Sequence, residues 1–127
     1  MSQTFAFEGT TYVNTLLSQD FAHTPVWKAA SKEPALSVGN ALRIARESLK
    51  RLVKKANRFD VNTIALKEFA DERWFYEVRF RTSGGTILQE SPNKYRMVEN
   101  EFRIFVKMDG TIIKPKVLFV QPKPPYL

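Results

Sequence analysis

The stretch Ser37–Arg58, "SVGNALRIARESLKRLVKKANR", decides how the rest of the chain is read. Val38, Ala41, Leu42, Ala45, Leu49, Leu52, Val53 and Ala56 fall on one side of a 3.6-residue period, the apolar stripe of an amphipathic helix. Ser37 is expected to cap it, because its hydroxyl can accept from a free backbone N–H of the first turn. The stripe predicts about five turns ending near Asn57, a residue that tolerates left-handed backbone. On the other side stand Arg43, Arg46, Lys50, Arg51, Lys54, Lys55 and Arg58, opposed only by Glu47. Seven cations against one carboxylate leave +6 of the chain's formal +7 in this segment.

After the helix the apolar period changes to two. "NTIALKEF" reads as a strand and "ADER" as a short turn. In "RWFYEVRFR", Trp74, Tyr76, Val78 and Phe80 share one face and Phe75, Glu77, Arg79 and Arg81 the other. "FRIFVKM" repeats the pattern, with Phe102, Ile104, Val106 and Met108 against Arg103, Phe105 and Lys107. Asp109-Gly110 suggests a two-residue type I′ hairpin, which would turn Ile113, Val117 and Phe119 inward and Ile112, Lys114 and Lys116 outward. Phe69 and Trp74 flank the first turn and are expected to share a face, which requires a bulge near Lys67 and Glu68 because Ile64 and Leu66 have the other parity. Pro115 would fall opposite Ile104 and interrupt the ladder, which suits an edge strand. Thr82–Asn100 is long enough for an excursion with its own structure; a plain hairpin extension is the alternative.

These elements give an α+β expectation of one long amphipathic helix on a four-stranded antiparallel meander. The helix-plus-sheet domain is expected at residues 37–120, an extended arm at 1–36 that docks Trp27 on the body, and a tail at 121–127. Within the arm, "TFAF" and "TTYV" could each be a short strand. The pattern in "PALSVGNALRIARESLKRLV", "RWFYEVRF" and "FRIFVKMDGTIIKP" resembles the cystatin-like and PepSY-like domains, over Pro34 to Val117. That resemblance implies the fold far more than the job, since many domains of this look are exported bacterial proteins without known activity; a non-enzymatic domain acting by protein–protein contact is the expectation. It does not imply protease inhibition, because Ala70-Asp71-Glu72-Arg73 and Asp109-Gly110 stand where inhibitors carry a Gln-Val-Gly loop and a Pro-Trp.

Composition narrows the chemistry. A chain of 127 residues with 43% hydrophobic residues and ten Phe has material for one core. Having no cysteine, it can hold no disulfide, zinc thiolate or iron–sulfur cluster and offers no thiol nucleophile. The single His23 lies in a polar stretch without partners for a triad or a metal site. Asp71-Glu72 and Glu99/Glu101 have no evident apolar pocket to tune them, and Gly84-Gly85 lacks the Lys and helix of a phosphate loop. No catalytic residue, cofactor or metal is expected. No apolar run is long enough for a membrane span, and the first residues do not read as a signal peptide, so compartment stays open.

Two surfaces are left as candidates. The first is the outer sheet face, where Phe75, Phe105 and Ile112 would stand among Arg79, Arg81, Arg103, Lys107, Lys114 and Lys116. Such a face suits a protein partner or a second copy, or bases stacked from a single strand. The second is the basic side of the helix, Arg43, Arg46, Lys50 and Lys54, as a contact for nucleic acid or another polyanion, or simply a solvated face.

Overall fold

The computed structural model describes residues 1–29, 32–54 and 56–120. The protein is α+β, with one α-helix among the described residues and antiparallel sheets. Helix α1 runs from Val38 to Leu52, and Ser37 caps it by accepting from the Asn40 backbone N–H at 3.2 Å. It stops about a turn earlier than the stripe suggests. Val53, a β-branched residue, already has extended backbone, and Ala56–Arg58 form a separate 3-10 turn. Val38 belongs to the stripe by spacing but is 54% exposed.

Strands β1 (Ser2–Phe7) and β2 (Thr10–Thr15) form a hairpin where an extended arm was expected. Its two turn residues, Glu8 and Gly9, have φ of 47° and 78°, the geometry of a tight primed turn. Strands β3 (Asp60–Ala70), β4 (Arg73–Ser91), β5 (Lys94–Lys107) and β6 (Ile112–Ile113) form a second sheet in that order. The last strand, β7 (Lys116–Val120), leaves this sheet and pairs with β2, giving the order β1-β2-β7. The 121–127 tail lies outside the described residues.

Thr82–Asn100 is the plain hairpin extension. β4 and β5 stay paired out to Ser91↔Lys94, with a register shift between Arg81 and Gly85. At that shift, Thr82, Ser83 and Gly84 stand against Asn100 alone.

The inner face of the β4–β5 ladder carries Tyr76, Val78, Phe80, Phe102, Ile104 and Val106. Two covers close it: Ala41, Ala45 and Leu49 of α1, and Phe5 and Phe7 of β1. Phe5 stacks on Tyr12 and meets Phe102 edge-on, with centroids 5.2 and 4.8 Å apart. Tyr76 donates its hydroxyl to the Leu36 carbonyl at 2.7 Å, and burial pushes its phenol pKa up.

Two register expectations are corrected. β3 has two irregularities, one at Asn62 between Val61↔Phe80 and Thr63↔Arg79 and one at Phe69 between Glu68↔Trp74 and Ala70↔Arg73, and none at Lys67 or Glu68. Ile64 and Leu66 therefore keep the parity of the inner face, while Phe69 turns outward onto Phe21 and away from Trp74. In the second hairpin, Lys107 N–H bonds the Thr111 carbonyl at 2.8 Å, so the loop has three residues, Met108, Asp109 and Gly110. Gly110 has φ of 85° and takes the left-handed position, while Asp109 Oδ1 accepts from the Thr111 N–H and hydroxyl. That one residue flips the following strand: Ile113 pairs with Phe105 and points outward, and Ile112 packs inward. Val117 is exposed, and the side chain of Phe119 lies outside what is described.

Pro115 explains why the chain changes sheets. Lys107↔Thr111 and Phe105↔Ile113 are hydrogen-bonded positions of the ladder, so the next would set Pro115 against Arg103, where an N–H is required. Pro115 has none, and β6 ends at Ile113. Asn14 of β2, fully buried, supplies the missing donor by bonding the Arg103 carbonyl through Nδ2 at 3.1 Å. Asn14→Ala is therefore expected to cost about 1–3 kcal/mol by stranding a buried carbonyl. Urea unfolding checks this, and a loss below about 0.5 kcal/mol, the range of a neutral surface change, would remove Asn14 from that role.

Candidate functional site

The outer sheet face is not the open platform that its alternation suggests. Phe75 and Phe105 are completely buried. The chain from Leu16 to Thr24 lies over them, with Phe21 stacked on Phe69 at 4.5 Å and tilted against Phe75 at 5.9 Å. Cations on the same face pin this cover. Lys107 Nζ donates to the Asp20 carbonyl at 3.1 Å, and Arg73 Nη1 donates to the Thr24 carbonyl. Trp27 closes the edge: its N–H bonds the Glu72 carbonyl, its own carbonyl accepts from Trp74 Nε1 at 2.9 Å, and its ring meets Trp74 edge-on at 5.1 Å.

The same face buries a carboxylate. Glu77 is 1% exposed, with Arg79 Nε at 2.7 Å and Lys67 Nζ at 3.3 Å from its Oε1. Burial acts to raise its pKa, but the hydrogen bonds and charges of Arg79 and Lys67 outweigh it and hold the group below the usual carboxylate value. Arg103 pairs with Glu101 at 2.6 Å. Arg79, Arg103 and Lys107 are thus engaged within the fold, while Arg81, Lys114 and Lys116 remain exposed.

The helix candidates are placed differently. Arg43, Arg46, Lys50 and Lys54 are all exposed on α1 or just beyond it. Arg43 pairs with Glu47 at 3.4 Å, and Arg46, Lys50 and Lys54 make no ion pair among the described residues. Lys55 lies outside the described residues. His23 is exposed, and among the described residues no three His, Asp or Glu side chains gather as metal ligands would. No helix among them is long and apolar enough to cross a membrane.

Two features were missed by sequence reading. One is the exposed edge of β7, with Val117, Leu118 and Val120 at 57%, 56% and 67% exposure. The other is a cavity of about 350 Å³ at the end of α1, where Lys54 and Arg58 face Thr82 and Asn100. Only the run "KVLFV" hinted at the first; nothing in linear spacing joins the parts of the second. Comparison with protein-family models, with curated proteins and with solved structures finds no match to this chain.

Two measurements test the outer face. Phe105→Ala is expected to cost about 3–5 kcal/mol in denaturant unfolding, as for a truncated core aromatic; a change under 1 kcal/mol would mean the ring is not packed. Because the folded pKa of Glu77 is depressed, the stability it contributes is complete above the ordinary carboxylate range and drains away as pH falls through the folded value. Glu77→Gln should therefore flatten the loss of stability below about pH 5, whatever its effect at neutrality. An unchanged acid slope would contradict the assignment.

Proposed function

We propose that the protein is a non-enzymatic interaction domain, of the cystatin-like or PepSY-like kind, that takes up an extended segment of another protein along the free edge of β7. The observation that carries this is the edge itself. β7 ends the order β1-β2-β7, so one row of its backbone donors and acceptors has no strand beside it among the described residues. Its apolar side chains Val117, Leu118 and Val120 are more than half exposed. Such an edge recruits a strand through main-chain hydrogen bonds, and side chains then set specificity. A groove of about 370 Å³ adjoins it where the chain leaves β6, lined by Leu17, Ile112 and Ile113, with Lys114 and Lys116 outnumbering the one acidic lining residue among those described, Asp20.

Charge selects the partner. Lys114 and Lys116 flank the edge, and the chain carries +7, so an acidic segment is drawn in and a second copy is repelled. The resemblance is supported by a Ser-capped helix packed across one face of an antiparallel sheet. The hairpin of β1 and β2 and the cover over the outer face are additions to that pattern. The nucleic-acid reading keeps one specific support, the exposed Arg46, Lys50 and Lys54, which make no ion pair among the described residues; its aromatic half is lost with the burial of Phe75 and Phe105.

The test is a titration of isotopically labelled protein with a synthetic peptide of alternating valine and glutamate, followed by amide shifts. Shifts should concentrate on Lys116–Val120, and Val117→Asp should weaken binding by about tenfold, the equivalent of one lost contact. Absence of shifts at low ionic strength, or dimerisation through β7 without peptide, would overturn the proposal. So would preferential shifts on α1 with a labelled single strand while β7 stays silent.

A further inference from the structure

We propose that the cavity between the end of α1 and the break in the β4–β5 ladder binds a small organic oxyanion, a phosphomonoester or a carboxylate, with Lys54 and Arg58 as its charged contacts. The proposal is independent of the β7 edge. It rests on four parts of the chain that converge there: Phe7 and Glu8 at the first hairpin, Lys54 and Arg58 after the helix, Thr82 in β4 and Asn100 in β5. Phe59, the residue before β3, completes the floor.

The size fits a small ligand, since about 350 Å³ sits at the lower end of the roughly 300–1,000 Å³ usual for such sites. The charge fits an anion. Lys54 and Arg58 are exposed and make no ion pair among the described residues, and Glu8 is the one carboxylate among the described residues that line the cavity. The guanidinium of Arg58 offers a planar fork that matches two oxygens of a carboxylate or phosphate, and Lys54 adds a point charge beside it. Thr82 contributes a hydroxyl that can donate to the same group.

The floor gives these charges their effect. Phe7 and Phe59 are 9% and 4% exposed, with ring centroids 5.2 Å apart, so the ligand's apolar part meets an aromatic floor and the anion meets cations beside a poorly polarisable wall. The frame is also fixed in advance. Asn100, 7% exposed, accepts the Glu8 backbone N–H on Oδ1 at 3.2 Å and so ties the first hairpin to the ladder break. Three β4 residues against one in β5 open the space at that point, and such bulges gather beside binding sites.

Glu8 gives the proposal a sign that a merely basic surface would not show. Its turn position has φ of 47°, where Asn, Asp or Gly is the usual choice, and its charge opposes an anion in the cavity. Removing that charge should strengthen binding.

The experiment is calorimetric titration of the full chain with phenyl phosphate, benzoate and inorganic phosphate at low ionic strength. At least one organic anion should bind, more tightly than inorganic phosphate, and whichever it is names the acid group. Lys54→Gln and Arg58→Gln should each lower its affinity by about tenfold, as for one lost charged contact, and Glu8→Gln should raise it. Arg46→Gln removes the same charge from the helix outside the cavity and should change affinity less than about twofold, as screening of a distant charge requires. Circular dichroism would confirm that these surface variants fold. Silence with both organic anions, equal losses in Arg46→Gln and Arg58→Gln, or equal affinity for inorganic phosphate would each overturn the proposal.

Discussion

The β4–β5 ladder carries buried aromatic rings on both faces, and the rest of the molecule is arranged to keep those rings out of water. Phe80 and Phe102 point one way, Phe75 and Phe105 the other, and all four are buried. Each such ring contributes roughly 1.5–3 kcal/mol by burial, so a single cover would leave several kcal/mol unrealised. The helix and β1 close the inner face, and Leu16–Thr24 closes the outer one. The N-terminal third of the chain is therefore part of the core on both sides of one sheet.

This arrangement redistributes the positive charge. Lys107 and Arg73 hold the outer cover by donating to its carbonyls, and Lys67 and Arg79 neutralise buried Glu77. These four cations are thus engaged within the fold. Charges left to act outward include Arg81 on the ladder and those on the helix, at the cavity beyond its end, and beside β7. Function in this molecule is accordingly expected at the margins of the sheet, where a strand edge and a ladder break leave polar groups within reach of a partner.

Proline 115 and glycine 110 decide how the last strands run. The left-handed Gly110 lengthens the hairpin loop by one residue and exchanges the faces of Ile112 and Ile113. Pro115 then withholds the N–H that Arg103 needs, the chain departs, and buried Asn14 takes its place. The result is β7 on the edge of the other sheet, with its apolar side chains exposed.

The sequence by itself determined the local elements: the Ser37 cap and amphipathic helix, the alternation of Trp74–Arg81 and Phe102–Met108, and the concentration of charge after Ala41. Each of these depends on neighbours within a few residues, where period and capping chemistry act. What covers a sheet face depends on residues far apart in the chain. Alternation marks Phe75 and Phe105 as facing away from the helix, and cannot say that Phe21 will lie on them. The cavity likewise draws Glu8, Arg58, Thr82 and Asn100 from four separate segments. Only the tertiary structure brings those together, because desolvation and hydrogen-bond satisfaction are settled between surfaces after each element has formed.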